Sequence, residues 1–313
     1  MIQRIHLLCG DLNDWNDLNL SRYLFFFMPS SSSSAASVAA SYYDSSDADL
    51  FYAETWGGED IHIGLYKTED EAIAKASQRT VQALMDLAGQ PSANATVVDL
   101  GSGYGGAARR IAKQWQATVH AINISAVENT RHRSLNASEG LDSQITVHDA
   151  SFEDVPLADG IADLVWSQDA ILHSGDRPRV MQEVSRLLKP GGVFVLTDPM
   201  ACDGIDPAAL QPILDRIHLA DLASPESYRD WADSSGMYRD AWLERTEMLV
   251  RHYSRVREEL KGRHDELAAK ISPDYLSRME TGLGHWIDGG REGRLCWGLM
   301  RFVKKDSEAD SAD

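Results

Sequence analysis

The chain has 313 residues, 43% of them hydrophobic, enough for one large domain or two small ones, and 30 Lys and Arg against 48 Asp and Glu leave a net charge of −18. That balance argues against polyanionic partners, because nucleic-acid binding and docking on an anionic membrane both draw on clustered cations. With 22 Arg, 8 Lys and 31 Asp, the surface repels itself in dilute salt and is better screened in a salt-rich setting.

Cys9, Cys202 and Cys296 are far apart and show no CxxC or His-rich spacing, so neither a disulfide framework nor a zinc site is expected. The longest aromatic-apolar run, Tyr23 to Met28, falls well short of the roughly 20 residues that span a bilayer. Asp11, Asp14 and Asp17 precede it where a signal peptide would be basic, and the chain reads as cytoplasmic.

Residues 1–27 match nothing that follows. Met28, ahead of the Ser30–Ser34 run, offers a second natural start, so this stretch is either the product of a misplaced start or an N-terminal arm. Residues 1–41 are expected to form a disordered extension. From residue 42 the sequence becomes dense in aromatic and acidic residues (YYDSSDADLFYAETWGGEDIHIGLY), and 42–69 is expected to form a lid. Apolar residues at Ile73, Val81, Leu84, Met85 and Leu87 predict a helix from about Thr68 to Ala88.

Strands are predicted at Thr96–Leu100, Thr118–Ile122, Ile145–Asp149, Ile161–Ser167 and Val193–Thr197, with helical intervals between them. This rhythm predicts an α/β fold with a doubly wound, Rossmann-like parallel sheet over 70–202. Residues 203–284 read as a helical insertion, 285–305 as the region of one last strand (Leu295–Val303), and 306–313 as an acidic tail. The five arginines between Arg245 and Arg263 alternate with Glu247, Glu258 and Glu259, which marks a solvated, salt-bridged helix rather than a basic patch.

The strongest local signal is Val97-Val98-Asp99-Leu100-Gly101-Ser102-Gly103-Tyr104-Gly105-Gly106, an apolar strand that ends in a glycine-rich turn. Alone it also fits a nicotinamide dehydrogenase, but such a site usually carries an acid at the end of the second strand, where this chain has Asn123. Far downstream, Leu188-Lys189-Pro190-Gly191-Gly192 enters the fifth strand. Together these motifs resemble the class I S-adenosylmethionine-dependent methyltransferases. The resemblance implies that Gly101 and Gly103 pass close to the cofactor, that Asp99 organises its ammonium end, and that Asn123 meets the ribose hydroxyls. It places Asp149 and Ala150 at the adenine, with Gln168 also beside the cofactor.

The stretch VWSQDAILHS, which carries Asp169 and His173, is similar to the phosphoethanolamine methyltransferases. That likeness implies that Asp169 pairs with the substrate amine and that His173 positions or deprotonates it, with Tyr52 as the partner tyrosine. A narrower resemblance runs from Tyr43 onward, to the sarcosine and dimethylglycine N-methyltransferases that make glycine betaine. It is carried by the 42–66 stretch, by VWSQDAILHS and by LTDPMACDGIDPAALQPILDRIHLADLASPESY. Pro199-Met200 stands where glycine-accepting relatives tend to have Arg-Glu, and an apolar Met suits a methylated nitrogen. The implied reaction is methylation of dimethylglycine, and of sarcosine before it, with a phosphoethanolamine-type small-amine enzyme as the alternative. Tyr43, Tyr52 and Trp56 are candidates to attract the ammonium through their ring faces, and Arg216 to hold the substrate carboxylate. His62 and Tyr66 fit equally as lid residues or as packing beneath it. No metal is implied.

Overall fold

A computed structural model describes residues 44–56 and 58–306. Seven strands form one sheet in the order β3-β2-β1-β4-β5-β7-β6. Helix α1 (Ser46–Thr55) opens on Ser45, whose side chain accepts from the Ala48 amide, with Asp47 and Asp49 in the first turn where they complement the helix dipole. Helix α2 (Ile73–Ala88) starts five residues later than the sequence predicts and buries Ile73, Ala76, Val81, Leu84 and Met85. Then follow β1 (Thr96–Leu100), α3 (Gly106–Trp115), β2 (Thr118–Asn123), α4 (Ala126–Ser138), β3 (Ile145–Asp149) and β4 (Ala162–Gln168). A single helical turn, Ile171–His173, leads to α5 (Arg177–Leu187) and β5 (Leu188–Ala201).

Strands β1 to β5 are mutually parallel where they pair, and a register shift between Ala162 and Leu164 absorbs the Lys189–Gly192 segment at the start of β5. Beyond β5, a short helical run over 207–217 contains α6 (Gln211–Leu214), followed by α7 (Pro225–Ser234) and β6 (Met237–Glu244). The chain closes with α8 (Thr246–Gly262), α9 (His264–Ala268), α10 (Pro273–Arg291) and β7 (Leu295–Lys304), which is inserted antiparallel between β5 and β6.

The 203–284 segment is therefore not helical throughout. Only Met237 of β6 is fully buried, and Arg239 and Asp240 sit at a register shift in its middle, so this edge strand lacks the apolar alternation that betrays a strand. The sheet carries a core on each face. One core includes α1, α2, α3, α8 and α10, with Phe51, Trp166, Trp286 and Trp297; the other, with Phe194, Met200, Tyr228 and Phe302, lies against α5 and α7. Among the described residues no helix is long and apolar enough to cross a membrane.

Candidate active site

In a doubly wound sheet the carboxyl ends of the strands form the ligand crevice. A cleft lies there, lined by Gly101 and Gly103 after β1, Asn123 at the end of β2, Ala150 after β3, Gln168 at the end of β4, and Asp169 and His173 beyond it. Gly101 has φ +76°, and a Cβ on it would sit 2.3 Å from the Ala170 Cβ, so only glycine lets the loop after β1 pass the loop after β4.

Asp99 stands in a recess of the same crevice with His62, Gly101, Gly103 and Gln168. Burial pushes its carboxyl up to about 7, opposed by the nearby His62. Trp166 Nε1 donates to Gln168 Oε1 at 3.1 Å and fixes the amide. Asp99 Oδ2, Gln168 Nε2 and His62 Nε2 are buried with no hydrogen-bond partner among the described residues. His62 Nε2 faces Asp60 at 3.8 Å, so the recess offers the free acceptor of Asp99 and the free donor of Gln168, which suits a polar ligand that carries both signs.

At the end of β2, Asn123 Nδ2 donates to Glu128 Oε2 at 2.9 Å. Glu128 also lines the cleft, and burial pushes its carboxyl up to about 7. The acid missing from the strand end is thus returned from the first turn of α4. The sequence signal was there, since Ser125 caps α4 and accepts from the Glu128 amide, but a Ser-x-x-Glu pair reads as a capping box and hides a cleft residue. Asp149 does not line the cleft. Its exposed carboxylate is taken by Arg133 at 2.5 Å and by Asn129 Nδ2 at 2.8 Å, both from α4.

Behind the cleft lies a second pocket, formed by Tyr52, Trp56, His62, Asp169, Leu172, His173, Pro199, Arg216 and Tyr253 with three isoleucines. Six of the residues singled out in the sequence thereby line one pocket: Tyr52, Trp56, Asp169, His173, Pro199 and Arg216. Tyr43 lies outside the described residues. Met200 is a correction: it is fully buried in the core on the opposite face of the sheet, because successive residues of β5 point to opposite sides and Pro199 takes the pocket side.

Asp169 is held by three elements. Its Oδ2 accepts from the Ile63 amide at 2.6 Å, its Oδ1 from Trp297 Nε1 at 2.8 Å, and its own amide donates to the Thr197 carbonyl at 2.8 Å. Its φ of +49° is a left-handed conformation for a non-glycine residue, a kind of local strain that recurs at functional sites. Burial raises its pKa against the opposing pull of His62 and these hydrogen bonds. Trp297 was not singled out by sequence, because its role depends on a contact across 128 positions.

The turn that carries His173 is pinned from both sides. Asp198 Oδ1 accepts from the Leu172 amide at 3.2 Å, Asp198 Oδ2 accepts from the Tyr228 hydroxyl at 2.7 Å, and Arg177 donates to the Leu172 carbonyl at 2.7 Å. Burial, with Arg177 and Arg216 nearby, lowers the His173 pKa to about 3, so its imidazole is neutral at ordinary pH. Trp56 packs 4.9 Å from Tyr52 and 6.0 Å from Tyr253, centroid to centroid. The Arg216 guanidinium lies 5.0 Å from the Tyr253 ring centre and 5.1 Å from that of Trp286. His62 lines both the Asp99 recess and this pocket, 3.8 Å from Asp60, so it forms part of the wall they share.

This geometry matches known proteins closely. Residues 98–196 match the family described as methyltransferase domain. The chain is 66% identical over 263 residues to a dimethylglycine N-methyltransferase of Parasynechococcus marenigrum (strain WH8102), an alignment that covers 84% of this chain and 94% of the relative. It is 49% identical over 263 residues, with the same coverage, to a sarcosine/dimethylglycine N-methyltransferase of Halorhodospira halochloris. The crystal structure of a Galdieria sulphuraria protein assigned to the sarcosine dimethylglycine methyltransferases superposes with a TM-score of 0.80 at 45% identity, over 85% of this chain and all of that one.

Proposed function

Since the chain belongs to the sarcosine/dimethylglycine N-methyltransferase family, we propose that the pocket behind the cleft binds the methylated amine and that Asp169, Tyr52 and His173 carry the reaction. The protein is an S-adenosylmethionine-dependent N-methyltransferase that converts dimethylglycine to glycine betaine, an osmoprotectant, and sarcosine to dimethylglycine. When bound, S-adenosylmethionine supplies an electrophilic methyl group. The unpartnered acceptor on Asp99 and donor on Gln168 suit the charged amino-acid end of that cofactor, and Asn123 with Glu128 suits its ribose hydroxyls.

The observation that carries the assignment of the amine pocket is its composition: the rings of Tyr52, Trp56 and Tyr253, one carboxylate and one arginine around a small space. A dimethylammonium is satisfied by ring faces and a carboxylate, at about 0.5–2 kcal/mol for a ring contact, and the carboxylate of an amino-acid substrate by an arginine. A phosphate monoester would call for more cations than Arg216 alone. Asp169, its oxygens fixed by Ile63 and Trp297, orients the nitrogen. The nucleophile must be the unprotonated amine; the neutral His173, too weak a base at a pKa of about 3 to hold that proton, positions the nitrogen, and Tyr52 leads the proton outward. Pro199 presents an apolar wall with no amide hydrogen. The 42–69 stretch acts as the lid and the helices of 203–284 as the cover, over a core formed by 70–202 and 285–305. The enzyme is assigned to the cytoplasm, where Cys202 and Cys296, both free thiols, stay reduced.

The test is product analysis with labelled cofactor and with glycine, sarcosine, dimethylglycine and phosphoethanolamine offered separately. Betaine from dimethylglycine, with no product from phosphoethanolamine, is the expected result. Failure to methylate either dimethylglycine or sarcosine would overturn the assignment.

A further inference from the structure

Helix α10 carries Gly282, Gly284, Gly289 and Gly290 among its 19 residues. Glycine weakens a helix interior relative to alanine, so each position needs a reason in packing. Gly282 and Gly289 lie two turns apart on one face, and both meet the 207–217 run. A Cβ on Gly289 would sit 2.7 Å from Ile213 Cδ1, and a Cβ on Gly282 would sit 2.4 Å from Arg216 Cγ and 2.6 Å from its Cδ. At Gly284 a Cβ would find only the Arg257 guanidinium, at 3.6 Å, which is ordinary contact.

The atoms that a side chain at 282 would strike form the middle of the Arg216 stem. Its head is fixed beyond them between the rings of Tyr253 and Trp286, and among the described residues Arg216 is the one arginine or lysine that lines the amine pocket. The stem has no slack, so what α10 presents at position 282 sets where the guanidinium stands.

We propose that Gly282 is a positioning residue for substrate recognition: its lack of a side chain lets the Arg216 stem lie against α10, so that the guanidinium reaches the depth at which it pairs with the carboxylate of the amino-acid substrate. The inference rests on the reading of Arg216 as that partner. A two-pronged pair between guanidinium and carboxylate depends on alignment, so a displacement of the stem by a methyl group's width costs recognition of the carboxylate and leaves the reacting nitrogen's own contacts in place.

The test is steady-state kinetics with dimethylglycine at saturating cofactor. Gly282→Ala is expected to raise KM about tenfold or more while kcat changes by less than about threefold and the Kd for S-adenosylhomocysteine stays the same. Gly284→Ala, where the added methyl has room, is expected to leave KM unchanged. In an Arg216→Ala background the stem is gone, and Gly282→Ala is expected to add nothing further to KM. Should Gly282→Ala alone not accumulate as folded protein, recovery of folded protein in the double variant supports the same contact. An unchanged KM in Gly282→Ala, an effect that persists in full without the Arg216 stem, or a double variant that does not recover overturns the proposal. A wild-type KM in Arg216→Ala overturns the reading beneath it, and the proposal with it.

Discussion

Trp297, on β7, donates its indole N–H to Asp169 Oδ1 at 2.8 Å, while the opposite oxygen is held by the Ile63 amide, ahead of α2. The carboxylate proposed to face the amine is thus set by two segments far apart in the chain. Trp297→Phe keeps an aromatic ring in the core and removes only the donor. A hydrogen bond to a charged group contributes about 1.5–3 kcal/mol, so kcat/KM for dimethylglycine is expected to fall about tenfold or more. The Kd for S-adenosylhomocysteine, measured by calorimetry, is expected to stay within about twofold. An unchanged kcat/KM would show that this bond serves packing alone.

Asp99 makes cofactor binding depend on pH. Its carboxyl is pushed up to about 7 by burial, so below that pH a proton must leave as a cationic ligand enters. Affinity for S-adenosylmethionine is expected to rise by up to about tenfold per pH unit below 7 and to level off above. Asp99→Asn should flatten the profile. Stability without ligand has the opposite sign. With the folded pKa above the unfolded value of 3.8, this contribution is complete below about 4 and is lost as pH rises through about 7. Thermal melts with and without cofactor separate the two.

Tyr52→Phe and His173→Ala are expected to lower kcat by about a hundredfold, the scale of a lost proton-transfer or positioning group, with little change in cofactor affinity. With its pKa near 3, His173 is already neutral, so the wild-type kcat profile should show no His173 ionisation near 6.5. A loss confined to cofactor binding would remove both residues from the chemistry.

The net charge of −18 sets a salt response. The screening length falls from about 30 Å at 0.01 M to about 3 Å at 1 M, so self-repulsion fades while short ion pairs lose less. The melting temperature is expected to rise as KCl increases over that range. A flat or falling curve would detach the acidity from any salt-rich setting.

The parallel half of the sheet is legible in sequence because its strands are short β-prone stretches that alternate with helical intervals, the first of them closed by the glycine-rich turn at Gly101. Its neighbour β6 is not, because an edge strand with Arg239 and Asp240 at its centre has neither apolar run nor alternation. Site residues followed the same division. Asp99, Gly101, Gly103, Asn123, Gln168, Asp169 and His173 sit at or next to strand ends, where position in the motif fixes position in space. Asp149 sits at a strand end too, but Arg133 and Asn129 on α4 claim its carboxylate, a competition that spacing does not reveal. Met200 was read with Pro199 as one unit, although the pleat sends the two to opposite faces. Trp297 acts through a long-range contact that leaves no mark in a single sequence, and the mark that Glu128 leaves is that of a helix cap rather than of a cleft residue.

The antiparallel register of β5 and β7 sets Pro199 directly opposite Trp297. The proline proposed to face the substrate's methyl groups and the donor that steadies Asp169 are therefore neighbours on one ladder. Retuning this enzyme toward a bulkier or smaller amine by exchange at position 199 will strain the partner strand as well. Substrate scope and turnover should then be traded together, and a useful redesign has to treat positions 199 and 297 as a single adjustable pair.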